Sequence, residues 1–479
     1  MDELAYLSAL ELADHIRTRE LSSREAVEAM VRRIERLDGQ TNLVVTIDVE
    51  AAREMAAAAD AAQVAGYDLG PLHGVPITVK DSFETAGMRT TSGAPELATH
   101  VPERDADPVA LLREAGAVIV GKTNLPLYAG DFQSYNEVFG VSSNPWDRAR
   151  TVGGSSGGSA GALAAGFTPL EIGSDIAGSI RNPAHTCGVV GHKPSYGIVS
   201  ARGQIPGPPG TLTQADLAVA GPLARTVDDC EMALELLAGP DSWHDIAWSL
   251  ELPPPRTTAT KDLRVAVWFD EPSAPLSAEV RELLGRAADE LSDDGALVDD
   301  DPRPGFDFET GVENFQRLLG AALAGSWSHD EIERMAGDAP EGGLGVANAT
   351  MRHRGWLSAN EKRLQHRARW AEFFETWDVV LLPVSPVAAI PHDRSEPWSA
   401  RTIDVDGEAR SYAEQASWLG LTGASYLPAT VVPVGTTTEG LPVGIQIAGP
   451  YLEDRTTLAV ARHLEELLGG FTPPPGYDR

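Results

Sequence analysis

Cysteines and long hydrophobic runs are scarce in this sequence. Its 479 residues include only two cysteines, Cys187 and Cys230, which excludes a disulfide scaffold and a cysteine-rich zinc site. No apolar run approaches the roughly 20 residues that span a bilayer. Asp2 and Glu3 stand where a secretory signal peptide needs positive charge. We therefore expect a cytoplasmic protein with no membrane partner.

Basic residues are also few. Lysine and arginine number 38 against 70 aspartates and glutamates, which gives a net charge of −32. An acidic surface repels phosphate backbones and anionic lipid, so we expect no nucleic-acid partner. The 42% of hydrophobic and 23% of charged residues are typical of a globular chain. The length suffices for one very large core or for two to three domains.

Hydrophobic periodicity predicts alternating helices and strands. Residues 4–38 are expected to form two helices, the second capped by Ser22 and Glu25, and the alanine-rich run 51–62 a third. Further helices are expected over 109–115 and 159–167, and strands over 76–80, 117–120, 263–268, 377–383, 429–434 and 443–448. The alternation favours one large mixed α/β domain, with an inserted substructure left open.

Two segments break this alternation. The proline- and threonine-rich stretch 240–260 is predicted to be a linker. Residues 325–350 are rich in glycine and acidic residues and lack clear periodicity. We expect an ordered excursion or a lid there.

Residues 116–123, GAVIVGKT, match the Walker A pattern of nucleotide-binding proteins. A phosphate-binding loop needs exposed backbone N–H groups between its glycines, followed by a helix N-terminus. Here the residues between the glycines are apolar and suit a buried strand, and Pro126 follows soon after. We therefore favour a turn and a strand over a P-loop, although a nucleotide-binding protein remains an alternative.

Residues 153–157, GGSSG, match the G-x-S-x-G nucleophile elbow of α/β-hydrolases. That motif needs a strand running into it, whereas the preceding residues 144–148, NPWDR, favour a turn. Four histidines that follow leave a histidine-based triad open at this point: His185, His192, His392 and His463.

The longer segment 153–195 reads GGSSGGSAGALAAGFTPLEIGSDIAGSIRNPAHTCGVVGHKPS. It closely resembles the amidase signature, the Gly/Ser-rich stretch that defines that enzyme family. Family-like stretches also occur upstream and downstream, at 73–81, 121–124, 144–147, 221–226 and 440–446. Because these stretches are many and in order, the resemblance is specific over about residues 65–450. It implies a single large mixed β-sheet covered by helices on both faces.

The family's domain pattern, carried over, makes 1–479 a single amidase signature domain. Its N-terminal helical segment would be about 1–64 and its signature core about 65–240. A C-terminal part, about 261–479, would return to the same sheet.

The resemblance also implies a catalytic triad. Ser179 would attack the amide carbon, and Ser155, preceded by a cis peptide bond, would relay the proton to Lys80. Lys80 must be neutral to accept it, and burial on an apolar strand lowers the pKa of a lysine from its usual value of about 10.4. The neighbouring Asp81 would raise that pKa if it faced the amine.

The loop before the predicted nucleophile has a further implied role. Its backbone N–H groups would form the oxyanion hole, with donors from Ile176, Ala177, Gly178 and Ser179. Asp175 and Arg181 would brace this loop. Ala177 and Ser174 stand where the family usually has glycine and threonine, and alanine lacks the torsions that only glycine allows.

The substrate is predicted from the segment before the Gly/Ser loop. Tyr128, Phe132 and Gln133 suggest a mixed aromatic and polar pocket, and the segment differs from the Met-Gly-Ser-Ser-Thr-Glu-Asn pattern of the glutamyl-tRNA amidotransferases. The nearest resemblance is to broad-range amidases acting on aryl or alkyl amides, including anilides, and on esters or carbamates (a urethanase activity).

The main alternative is an A-type component of a tRNA-dependent amidotransferase complex. It predicts a glutaminase-type pocket and protein partners within the complex. For the chain as an amidase we expect a small-molecule amide or carbamate as its partner, leave a homodimer open, and expect no metal or organic cofactor, since serine and lysine chemistry needs no Lewis acid.

Overall fold

The computed structural model of the chain describes residues 4–67, 69–326, 328–330, 332–333 and 344–477. The helices in this part are α1 Ala9–Arg17, α2 Ser23–Leu37, α3 Val49–Ala65, α4 Asp107–Glu114, α5 Gly157–Ala164, α6 Arg181–Cys187, α7 Val227–Leu237, α8 Ala278–Asp293, α9 Phe308–Leu323, α10 Leu344–Ala349, α11 His353–Thr376, α12 Ser417–Ala424 and α13 Asp454–Leu468. The strands are β1 Val44–Ile47, β2 Pro76–Lys80, β3 Val118–Thr123, β4 Tyr135–Asn136, β5 Gly140–Val141, β6 Leu170–Asp175, β7 Val190–Lys193, β8 Val219–Ala224, β9 Arg264–Val267, β10 Leu297–Asp299, β11 Val379–Pro383, β12 Thr402–Val405, β13 Glu408–Ser411, β14 Ala429–Thr436 and β15 Pro442–Ala448.

The main sheet has eight strands in the order β10-β9-β11-β15-β14-β7-β8-β6. It is mixed, because β9 runs parallel to β10 and β11 whereas the other pairs are antiparallel. The late strands join the earlier ones where β14 pairs with β7. The predicted α/β fold with a large mixed sheet is confirmed, while the division of the chain into domains stays a prediction.

Both faces of this sheet are covered. Successive residues of a strand point to opposite faces, and on β14 the neighbours Val431 and Val432 lie in different hydrophobic clusters. The cluster of Val432 includes side chains from α7, α8 and α13, and that of Val431 includes side chains from α5 and α6. Helices therefore pack on both sides, as the resemblance implies.

A second, three-stranded sheet has the order β1-β3-β2. Its edge strand β2 lies beside β6 of the main sheet. The backbone N–H of Thr78 on β2 donates to Thr168 Oγ1 at 3.2 Å, and the Thr78 hydroxyl donates to Glu171 of β6. Side chains thus hold the strand that ends in Lys80 against the edge of the main sheet.

Most predicted elements occur within a few residues of their expected bounds. The capping box at Ser22 is present at the start of α2, and the predicted linker 240–260 contains no α-helix or strand. The segment predicted as an excursion or lid, 325–350, lies largely outside the described residues. None of the helices within the described ranges is long and apolar enough to cross a membrane.

The Walker A match is a buried strand and not a phosphate-binding loop. Residues 118–123 form β3, and all six are buried. The Lys122 amine, also buried, donates to the carbonyl of Phe83 and, at 2.7 Å, to Thr85 Oγ1. Because this lysine is enclosed and already bonded, the nucleotide-binding alternative is wrong.

The close packing of the three-stranded sheet gives a first prediction. A Cβ on Gly121 of β3 would lie 2.3 Å from the carbonyl oxygen of Thr46, and overpacking of this kind costs about 1–3 kcal/mol. We expect Gly121→Ala to lower the melting temperature measured by circular dichroism. The matched control is Gly285→Ala on α8, where nothing lies within 4 Å of the new Cβ. That variant should be neutral or stabilised by about 0.5–1 kcal/mol; equal melting temperatures would contradict the argument.

Candidate active site

Lys80 is the last residue of β2, and its side chain is fully buried. The amine nitrogen lies 2.7 Å from Ser155 Oγ, 2.9 Å from Ser156 Oγ and 3.0 Å from Ser174 Oγ. A neutral amine has two N–H groups and one lone pair, so it can donate to two of these hydroxyls and accept from the third. The arrangement therefore suits a lysine that receives a proton from a serine.

Burial lowers the pKa of Lys80 to about 7, and the charges of Asp175 and Glu171 oppose this shift. Asp81 does not take part. Adjacent strand residues point to opposite sides, and the Asp81 carboxylate accepts hydrogen bonds from the N–H and hydroxyl of Thr91. A substantial fraction of Lys80 is thus neutral near pH 7, because desolvation outweighs the nearby negative charges.

The loop that carries Ser155 packs against the segment before it. The peptide bond between Gly154 and Ser155 is cis, as the resemblance implies. A Cβ on Gly154 would lie 2.3 Å from the carbonyl oxygen of Asp131 and 2.7 Å from the backbone nitrogen of Gln133. Only glycine permits this approach, which brings residues 131–133 next to the predicted relay.

The loop of the predicted nucleophile lies beside this Ser155 loop. The Ser156 N–H donates to the carbonyl of Ser179 at 3.0 Å. The Ser179 side chain is buried but retains 6% exposure, and its hydroxyl makes no hydrogen bond with the described residues. Of the predicted contacts of Ser155, the hydrogen bond to Lys80 is present, whereas none to the Ser179 hydroxyl is formed among the described residues.

The predicted oxyanion loop follows β6. The Gly178 N–H donates to Asp175 Oδ1 at 2.8 Å, so it is already occupied, and the predicted set of four donors is wrong at this position. The N–H groups of Ile176, Ala177 and Ser179 have no acceptor among the described residues. These three remain available for a developing oxyanion. Ala177 is tolerated because it lacks a positive φ.

Asp175 and Arg181 brace this loop through a buried ion pair. The Arg181 guanidinium donates from Nε to Asp175 Oδ2 at 3.0 Å and from a terminal nitrogen to Oδ1 at 2.9 Å. Burial works to raise the pKa of Asp175, but Arg181 and other partners bring it down to about 2. The other terminal nitrogen reaches the C-terminal part of the chain, where it donates to Leu419 O, Thr422 Oγ1 and Gln446 Oε1.

The three residues predicted to bind substrate have different surroundings. Phe132 is buried in an apolar cluster that also contacts Ala177 of the oxyanion loop. Gln133 is occupied, since its amide donates to Asp393 O at 2.6 Å and accepts from the Asp393 N–H at 2.9 Å. Tyr128 is half-buried and its hydroxyl donates to Glu96. Phe132 is thus near the oxyanion loop, whereas the Gln133 side chain is bonded to the backbone of Asp393 and is not free to bind substrate.

Two apolar clusters meet at the oxyanion loop. One contains Phe132 and the other Phe315, and both contact Ala177 and Ala416. Their remaining buried members are Ile390, Ile403, Val405 and Tyr412 in the first cluster, and Leu217, Leu318, Ala359 and Ala424 in the second. The surroundings of the loop are therefore mainly hydrophobic on both sides.

Several functional neighbours were missed from the sequence. Ser156 and Ser174 contact the Lys80 amine. The second serine of the GGSSGG run and the serine before Asp175 could have indicated these two contacts from the sequence. Asp131 accepts hydrogen bonds from Tyr412 at 2.7 Å and from the buried Arg401 at 2.7 Å. Both partners lie about 270 to 280 positions after Asp131 in the chain, so no local sequence pattern indicates them.

The structure does not support a histidine-based triad at Ser155. Ser155 has Lys80 as its partner. The buried His185 is bonded to the backbone at Gly444 and Val387, and His192 is bonded to Thr430 and Asp454. No strand leads into Ser155 either, since β5 ends at residue 141. The α/β-hydrolase interpretation is therefore wrong.

The buried ion pair gives the second prediction. Removing one partner of such a pair leaves an uncompensated buried charge and costs about 3–5 kcal/mol. We expect Arg181→Gln to lose about that much stability in urea unfolding and to lose hydrolytic activity, because the loop is no longer held. The control is Arg369→Gln, whose pair with Glu372 is largely exposed and should contribute less than about 1 kcal/mol. A stable, active Arg181→Gln protein would contradict the bracing role.

Comparison with known proteins agrees with this geometry. The model of the Amidase family matches residues 25–458. The chain is 34% identical over 481 residues to the A-type component of the glutamyl-tRNA(Gln) amidotransferase of Roseiflexus sp. (strain RS-1), with 95% of each chain covered. A solved amidase superimposes with a TM-score of 0.80 at 31% identity, covering 97% of this chain and 100% of that one.

A bacterial aryl acylamidase of the amidase signature family has the same fold, with a TM-score of 0.83 over 99% of this chain and 98% of its own at 24% identity. The signature resemblance is thus confirmed by the family match over most of the chain. The chain belongs to the amidase signature family and is an amidohydrolase acting on carbon–nitrogen bonds.

Proposed function

We propose that the protein hydrolyses small amides through an acyl-enzyme on Ser179, with Ser155 as proton relay and Lys80 as base. The observation that carries this proposal is the 2.7 Å contact between Ser155 Oγ and the buried amine of Lys80. A lysine with a pKa of about 7 is close to ideal for general base catalysis near neutral pH.

The proposed reaction has two stages. Ser179 Oγ forms a bond to the amide carbon while its proton passes through Ser155 to Lys80. The carbonyl oxygen becomes an oxyanion, stabilised by the free N–H groups of the preceding loop. When the intermediate collapses, the C–N bond breaks and the proton returns through Ser155 to the departing amine. Water then attacks the ester on Ser179 by the same proton path and releases the acid.

The surroundings favour an apolar substrate. The two hydrophobic clusters that contact Ala177 offer aliphatic and aromatic side chains on both sides of the loop. We therefore expect aryl or alkyl amides, including anilides, with esters and carbamates as further substrates of the same chemistry.

A second candidate function is that of the A-type component of a glutamyl-tRNA amidotransferase. The curated relatives favour it, since the corresponding proteins of Roseiflexus and Moorella thermoacetica are 34% and 33% identical over nearly the full chain. Against it stands the segment 128–136, which differs from the Met-Gly-Ser-Ser-Thr-Glu-Asn pattern typical of the glutamyl-tRNA amidotransferases. This function would require protein partners and a pocket for glutamine.

A substrate panel separates the two functions. The purified chain is assayed alone on a p-nitroanilide, an aliphatic primary amide, an ester, a carbamate and glutamine, with Ser179→Ala as the blank. We expect turnover of the anilide and the primary amide to exceed that of glutamine, because the clusters beside the oxyanion loop are apolar. Hydrolysis of glutamine alone would reject the first proposal in favour of the amidotransferase function.

The roles proposed for Ser179 as nucleophile and Lys80 as base are also testable. Ser179→Ala and Lys80→Ala should both abolish amide hydrolysis, and the double variant should be scarcely worse than either, since the residues act as one unit. In the unaltered enzyme kcat/KM should rise with pH through about 7, because only neutral Lys80 accepts a proton. Measurement of kcat/KM on both sides of that pH checks this. Near-normal hydrolysis by Lys80→Ala would place the base elsewhere.

A further inference from the structure

Glu171 is a buried carboxyl group that the proposed mechanism does not use. It lies on β6 with 1% exposure, and one of its oxygens accepts a hydrogen bond from the Thr78 hydroxyl. Thr78 and Lys80 are two positions apart on β2, so their side chains lie on the same face of that strand. Glu171 therefore contacts the face of β2 from which the Lys80 side chain projects.

No cationic side chain among the described residues is bonded to this carboxyl group. Its Oε2 has no hydrogen-bond partner in the same part of the chain. The hydroxyls of Thr123 on β3 and Ser159 on α5 stabilise the charge of Glu171. These two hydroxyl oxygens lie 2.9 Å from each other. Lys122 of β3 acts on it through charge alone. From β8, the apolar Leu223 lies opposite Glu171 in the strand register.

The other carboxylate that acts on Lys80 is different. Asp175 is held by the two-point contact with Arg181 and by backbone N–H groups, so its charge is balanced and present at every working pH. Burial raises the pKa of Glu171 to about 7, opposed by the hydroxyls around it. Of the two negative charges that act on Lys80, only that of Glu171 changes near neutrality.

We propose that Glu171 is a positioning residue whose charge sets the proton affinity of Lys80, and hence the pH at which Ser179 becomes reactive. This inference rests on the proposed function of Lys80 as the base. An ionised Glu171 favours the protonated amine and a neutral Glu171 favours the free amine, so the two groups titrate as a coupled pair. Without this carboxylate, burial would depress the basicity of Lys80 further.

The test follows the labelling of Ser179 by phenylmethylsulfonyl fluoride. In this reaction the serine oxygen forms a bond to sulfur as fluoride leaves, and the serine proton passes to the base. The rate constant is measured by intact mass spectrometry across the neutral pH range. We expect Glu171→Gln, which has the same shape without the charge, to move the midpoint of the rise to lower pH by on the order of one unit.

A purely structural role would reduce the amount of labelled protein without moving this midpoint. Thr78→Val keeps the carboxyl group but removes the hydroxyl that stabilises its charge, so its midpoint should move in the same direction by a smaller amount. This variant decides the outcome if Glu171→Gln does not fold.

Glu465→Gln is the matched control. Burial also raises the pKa of Glu465 to about 7, but this carboxylate accepts from the Val227 N–H at 3.1 Å and is not among the charges that act on Lys80. Its midpoint should equal that of the unaltered enzyme.

Unchanged midpoints in folded Glu171→Gln and Thr78→Val would overturn the role of Glu171 while leaving the proposed function intact. Labelling of Lys80→Ala at the normal rate and pH would instead overturn the role of Lys80, and this inference with it.

Discussion

The buried ion pair between Asp175 and Arg181 is the interaction on which the site depends. Asp175 ends a strand of the main sheet and holds the Gly178 N–H, while Arg181 begins the helix after the predicted nucleophile. The same guanidinium extends to Leu419 and Gln446, more than 230 positions away. Because a buried arginine needs all its partners to offset the loss of hydration, the pair joins the loop to the C-terminal half of the chain.

Exclusion of water is the second constraint. Burial lowers the pKa of three enclosed lysines, of Lys80 and Lys193 to about 7 and of Lys122 to about 8. Their partners differ: Lys80 faces three serine hydroxyls, whereas Lys122 contacts a carbonyl and two threonines, and Lys193 the carbonyl of Pro194. A lowered pKa thus shows only that a lysine is buried. It is the neighbouring serine hydroxyls that suit Lys80 to proton transfer.

The apolar surroundings and the proposed triad are supplied mostly by different parts of the chain. The polar groups of the proposed triad all lie within residues 80–179. The hydrophobic clusters add side chains from 315–424, brought in by α9, α11, α12 and the β12–β13 hairpin. The residues proposed for the chemistry thus come from the first half of the chain, and most of the buried apolar side chains near Ala177 come from the second half, with Phe132 and Leu217 as the exceptions.

The sequence by itself determined most of the elements and the family, and it led to the proposal of Lys80, Ser155 and Ser179, because short-range periodicity and an ordered motif depend on residues near one another in the chain. It also indicated that β3 is a strand and not a P-loop. It did not reveal that Gly178 is occupied, that Gln133 binds Asp393 or that Asp81 turns away from Lys80. Only the tertiary structure decided these points, together with the pKa of Lys80, since desolvation and hydrogen-bond partners depend on which distant residues surround a group after folding.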